Sequence, residues 1–138
     1  MNRTEGTRKR AWPALCRGVA FSSRLPNGDT LLTDSNNSRI VEVNSKDHPV
    51  WQYFTNDPTG NSAPLPTRAI RLRDGETLIS DQFNDRVIEV VRTGAVGGTI
   101  ELQLGALNVP GIGAGLLDAP YDAKVIGDYT GLTPPFGF

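Results

Sequence analysis

The chain has 138 residues, a net charge of −1, one cysteine and one histidine. That length fits one ordinary domain with a modest core. A near-neutral balance gives no overall field for nucleic acid or a membrane surface, a lone Cys16 excludes a disulfide framework, and a lone His48 with it excludes a His/Cys zinc cluster. No apolar run approaches the roughly 18–20 residues a membrane span needs.

The first 17 residues carry Arg3, Arg8, Lys9, Arg10 and Arg17 against Glu5, a net of +4, which leaves −5 for the remainder. They read as a basic, flexible leader. Their apolar stretch from Ala11 to Cys16 stops at Arg17, short of a usual export signal. Residues 18–138 read as one repeat domain.

Residues 17–25 are short and partly apolar and suit a first strand. Pro26-Asn27-Gly28-Asp29 is a turn, because Pro presets φ and Asn-Gly accepts positive φ. Residues 30–34, β-branched and apolar, predict a second strand. A polar loop, 35–38, leads to a third strand at 39–43, with Val41 and Val43 on one face and Ile40 and Glu42 on the other. A turn containing His48 precedes a fourth strand, 50–54. Four short antiparallel strands joined by tight turns form a meander, the plan of one propeller blade.

The grammar then repeats. Residues 24–43 and 71–90, offset by 47, share ten of twenty residues. Six further pairs are conservative, among them Asp29/Glu76 and Ile40/Val87. A period of this length marks stacked units or propeller blades. Strands are expected at 66–72, 76–81, 86–91 and 99–104. The last turn, 93–98, is glycine-bearing and two residues longer than its counterpart. The inter-unit connections, 55–65 and 105–119, show no helical periodicity. A third unit opens at Pro120, where residues 120–126 align with 66–72, and the paired Pro134-Pro135 then exclude a regular central strand. The expected fold is all-β, with antiparallel four-stranded propeller-type blades forming a partial or open propeller: blade one about 18–54, blade two about 66–104, and a partial blade three about 120–138.

The pattern from Leu25 to Val43, L-P-N-G-x-T-L-x-x-D-x-x-N-x-R-(I/V)-x-E-V, followed by Val50-Trp51-Gln52-Tyr53, resembles blades of the NHL-like and arylsulfotransferase-like β-propellers. The resemblance covers roughly residues 18–126 and is specific for the blade rather than the activity. It implies a ring of more blades than this chain supplies. Open blade edges would then invite pairing, including with another copy of the chain.

Asp34, Asn37 and Arg39 recur as Asp81, Asn84 and Arg86. Recurrence in both units points to service within each blade. The Asp is expected to accept backbone N–H bonds in the following loop, the Asn to adopt left-handed φ, and the Arg to reach a carbonyl or a neighbouring blade's carboxylate. Glu42 and Glu89 recur likewise and read as structural or solvent-facing. His48, in an outer turn, does not match the funnel histidine that the arylsulfotransferase resemblance implies.

The informative positions are those where the units differ. Arg68 and Asp122 hold the same repeat position on the first strand, which faces the channel in a propeller, and Thr67 and Tyr121 precede them. Arg68, Tyr121 and Asp122 are the candidate binding residues. No catalytic residue, metal ligand or cofactor is expected. Two functions stand open: a non-catalytic interaction or ligand-binding scaffold for a protein or small molecule, and a fragment of an arylsulfotransferase-like enzyme whose catalytic residues lie elsewhere.

Overall fold

A computed structural model describes residues 18–128. The basic leader with Cys16, and residues 129–138 of the third unit, lie outside the described residues.

The described chain forms two four-stranded antiparallel sheets, ordered β1-β2-β3-β4 and β5-β6-β7-β8. The first contains β1 Val19–Arg24, β2 Thr30–Asp34, β3 Arg39–Val43 and β4 Pro49–Phe54. The second contains β5 Arg68–Arg71, β6 Thr77–Asp81, β7 Arg86–Arg92 and β8 Gly98–Gly105. Each sheet is a meander of sequential neighbours, so the chain is all-β and built of propeller-type blades.

The same local chemistry sets both meanders. In the β1–β2 turn the Gly28 N–H donates to the Leu25 carbonyl at 3.0 Å, and in the β5–β6 turn Gly75 donates to Leu72 at 3.0 Å. Those glycines sit at φ 94° and 96°, where a side chain would be strained. Both blades also carry a register shift between the third and fourth strands, beside Glu42 and Val43 and beside Glu89 and Val90, where the fourth strand supplies the extra residue, Val50 in one blade and Glu101 in the other. Each shift is a bulge that adds local twist.

The polar loops expected at 35–38 and 82–85 are single 3-10 turns, Ser35–Asn37 and Gln82–Asn84. The left-handed residue is Ser38 (φ 54°) in one and Asp85 (φ 59°) in the other, each following the asparagine rather than being it. Each closes the turn by donating its N–H, to Ser35 at 2.9 Å and Gln82 at 3.0 Å.

The blades stack face to face, with β5 packed on β1 and β2. Strand alternation decides what is buried. Leu31, Ile40, Trp51 and Tyr53 point from blade one into the interface and meet Ala69, Ile79, Ile88 and Val90 of blade two. Trp51 and Tyr53 pack with ring centroids 6.3 Å apart. The other face of blade two forms a smaller cluster of Ile70, Leu72, Leu78 and Val87, partly covered by Leu117 and Ala123 of the third unit. Thus β7 is covered on both faces, as its run Val87-Ile88-Glu89-Val90 suggests. Among the described residues the third unit forms no strand.

Candidate functional site

The recurring Asp-Asn-Arg set forms a buckle inside each blade. Asp34 is fully buried and accepts Arg39 Nε at 2.7 Å and Asn37 Nδ2 at 3.1 Å. Asp81, also fully buried, accepts Arg86 Nε at 2.8 Å and Asn84 Nδ2 at 2.9 Å. The guanidinium then continues outward to the fourth strand, Arg39 to Gln52 Oε1 at 2.8 Å and Arg86 to Gln103 Oε1 at 3.3 Å. One arginine therefore ties strand two to strand four across strand three. The carboxylate it binds is not a neighbouring blade's, as one of the expectations had it, but the aspartate of its own blade, which β2–β3 and β6–β7 register places directly opposite. Burial pushes the Asp81 carboxyl above its ordinary value, with Asn84 and Arg86 pulling against it.

Asn84 does more than its blade-one counterpart. Its Nδ2 also donates to the Thr55 carbonyl at 2.9 Å, and its Oδ1 accepts the Asn61 N–H at 2.7 Å. Its carbonyl accepts the Asn108 N–H at 2.7 Å. A single buried side chain thus fastens the connection before blade two, while its backbone fastens the one after it.

Glu42 was read as structural or solvent-facing; it is buried at the blade interface. Its Oε2 accepts Arg71 Nη2 at 2.7 Å and Arg92 Nη1 at 3.3 Å, both from blade two. The Arg71 guanidinium stacks over Trp51 at 5.4 Å. Burial lowers the Arg71 pKa, opposed by Glu42.

The three candidate binding residues come together at the inner strands. Arg68 Nη1 donates to Asp122 Oδ2 at 3.2 Å, and its guanidinium lies 4.0 Å from the Phe21 ring centroid of blade one. Lys124 Nζ also bonds Asp122. Arg68 Nε is buried and makes no hydrogen bond to protein. The Tyr121 carbonyl accepts Thr67 Oγ1 at 2.6 Å, while its side chain is 69% exposed. The result is a part-exposed patch with two cations, one carboxylate and an aromatic ring, drawn from three successive units. Such a patch suits a ligand with both hydrogen-bonding and charged groups.

The β7–β8 turn has a task the sequence did not disclose. It folds back onto the outer edge of blade one. Gln52 donates its N–H to the Ala95 carbonyl at 3.0 Å and accepts the Gly97 N–H at 2.8 Å. Trp51 Nε1 donates to the Gly97 carbonyl at 3.0 Å. The turn itself, 93–97, is no longer than its counterpart, 44–48, which corrects the expected two-residue extension: the insertion lengthens β7 and β8 instead, adding the pairs Val91–Thr99 and Arg92–Gly98, and carries the turn out to blunt the edge of β4. Beside it lies a groove of about 510 Å³, lined among others by Trp51, Glu76, Val91 and Arg92. His48 sits away from these features in the exposed β3–β4 turn, its N–H bonded to Asn44 Oδ1 at 3.0 Å.

Among the described residues no group of three or more His, Cys, Asp or Glu side chains could hold a metal ion. No described helix is long and apolar enough to cross a membrane.

No protein-family model matches the chain, and no curated protein matches it. Among solved structures it is similar to a streptogramin B lyase, at 20% identity and a TM-score of 0.48, over 65% of this chain and 26% of that one. It is also similar to virginiamycin B lyase from Staphylococcus aureus, at 19% identity and a TM-score of 0.46, over 64% of this chain and 27% of that one. A catalytically inactive variant of that lyase with quinupristin aligns at 18% identity and a TM-score of 0.48, over 67% and 28% of the respective chains. The matched region is about a quarter of the length of those proteins. The resemblance to NHL-like and arylsulfotransferase-like propellers rests on the sequence motif alone.

Proposed function

We propose that this chain is a non-catalytic propeller-blade module of the NHL-like and arylsulfotransferase-like type, which presents Arg68, Tyr121 and Asp122 to a protein or small-molecule ligand. One contrast carries the reading. The buried carboxylates shared by the two units are engaged by guanidinium groups within or between blades: Asp34 by Arg39, Asp81 by Arg86, Glu42 by Arg71. The residues that differ between units, Arg68 and Asp122, stand part-exposed at the inner strands, with side chains 25% and 32% accessible. Polar groups held in folding contacts are poor reactants. Arg68 and Asp122 also pair with each other, but at the rim, where a ligand can reach them and Phe21 lies beside the guanidinium; such groups are good ligand contacts.

The test is a titration of isotope-labelled protein with arginine, glutamate and glycine betaine, followed by amide chemical shifts. The expected result is saturable shifts at residues 68, 121 and 122 that vanish in Arg68→Ala. Shifts confined to other surfaces would refute this placement. Arylsulfate transfer by purified protein that is lost in His48→Ala would overturn the non-catalytic reading and favour the enzyme-fragment one.

A further inference from the structure

Three buried side-chain donors of the described residues lack a hydrogen-bond partner where blade one meets β5: Ser23 Oγ, Thr33 Oγ1 and Arg68 Nε. Strand register groups them around one ring. Thr33 lies directly across from Phe21, and Ser23 follows two residues along β1 on the same side. That side faces blade two, because Leu25 and Leu31, in the same alternation, belong to the inter-blade core with Ala69. The Arg68 guanidinium sits over the Phe21 ring. Thr33 is 0% exposed and Ser23 8%, so neither hydroxyl can turn to bulk solvent. Buried donors in this state are normally satisfied by water or a ligand. The blade plan does not demand the Ser23 hydroxyl: its counterpart one unit along is Ile70, which packs in an apolar cluster.

The guanidinium's own pairing indicates what the missing partner is. Asp122 meets it at Nη1. The Nε–Nη2 edge, which a carboxylate grips with two parallel bonds, keeps a buried Nε without an acceptor. Nε–H only donates, and both hydroxyls can donate beside it, so an oxygen acceptor suits all three. Lys124 shares Asp122 with Arg68, so two cations and one carboxylate leave one positive charge over. One added negative charge balances the cluster.

We propose that this is a carboxylate seat. One carboxylate of a small organic anion enters at the rim beside Lys124, lies along the Nε–Nη2 edge of Arg68, and accepts hydrogen bonds from the hydroxyls of Thr33 and Ser23. The inference rests on the ligand-binding reading of Arg68 and Asp122 and names the chemical class of that ligand.

The probes are acetate and its neutral isostere acetamide, titrated at matched ionic strength into the full chain with isotope-labelled amides and threonine methyls. Acetate is expected to shift the Thr33 methyl and the amides of residues 23 and 68 saturably, and acetamide to leave them unmoved. Thr33→Val keeps the shape and removes one donor; Arg68→Lys keeps the charge and removes the two-pronged edge. Each is expected to weaken acetate about tenfold or more, read at the amides. Without acetate, Thr33→Val is expected to melt no lower than the parent, because it removes a buried hydroxyl that has no partner. A lower melting point would show that the hydroxyl is already satisfied within the protein and would overturn the proposal. No saturable acetate shift, acetamide binding as well as acetate, or acetate binding indifferent to either substitution also overturns it. So does an unshifted Thr33 methyl at acetate saturation, since an ordered water then satisfies the hydroxyl. Glutamate shifts at residues 68, 121 and 122 that survive in both variants sink this inference and leave the ligand-binding reading standing.

Discussion

The two buckles offer a controlled comparison, because the same three residues occur in unequal surroundings. Replacing Asp81 with alanine removes the acceptor for Arg86 Nε at 2.8 Å and Asn84 Nδ2 at 2.9 Å. The Arg86 side chain is only 6% accessible, so its charge is left buried, with Gln103 at 3.3 Å as its remaining side-chain acceptor. Breaking a buried pair from one side costs about 3–5 kcal/mol. In blade one the Arg39 side chain is 12% accessible and Asn37 is exposed, so water recovers part of what Asp34→Ala removes. The loss there approximates hydrogen bonds to a charged group, about 1.5–3 kcal/mol. A domain of this size holds roughly 5–15 kcal/mol in all. Urea unfolding of both variants, followed by circular dichroism and by fluorescence, is expected to rank Asp81→Ala below Asp34→Ala by about 1–2 kcal/mol at unchanged slope. Equal losses, or a larger loss at Asp34, would refute the claim that burial of the arginine sets the cost.

Two further outcomes follow from the interface. Burial holds the Tyr53 hydroxyl above its ordinary value. Its folded state favours the neutral phenol, so the stability it contributes is full below about pH 10 and is lost as pH rises through the raised folded-state value. Tyr53→Phe is therefore expected to flatten alkaline destabilisation, measured as urea midpoints against pH; identical profiles would show that Tyr53 does not titrate differently in the two states. Deleting Val96 and Gly97 shortens the β7–β8 turn and removes the Gly97 contacts to Gln52 and Trp51. A loss of about 1–3 kcal/mol is expected, with faster amide hydrogen exchange confined to β4. Exchange that is unchanged along β4 would mean the turn does not seal that edge.

Much of the meander was legible from residue order, because strand formation here is local. Alternating β-branched residues, Asn-Gly and Asp-Gly turns and a second copy of the pattern fix β2, β3, β6 and β7 to within a residue of their observed ends. The alternation also assigned Ile40 and Glu42 to one face, and both are buried against blade two. The same copy marked Asp34, Asn37 and Arg39 as parts of a blade, although their partners within it follow only from strand register.

What the sequence could not give depends on which surfaces meet. Glu42 and Glu89 are one letter in one repeat position. The first is buried between two arginines of the next blade, and the second is half-buried and makes no ion pair among the described residues. Arg24 and Arg71 diverge for the same reason: one is exposed and bonded to Gly28, the other sealed against Glu42. The insertion looked like slack in a turn; in the structure it lengthens β7 and β8 and brings their turn within reach of the neighbouring edge strand. Sequence determined the blade, since its information is local and repeated. Tertiary structure decided which copy of each residue is covered, since burial is a property of the neighbour, and the described neighbours of the two blades differ.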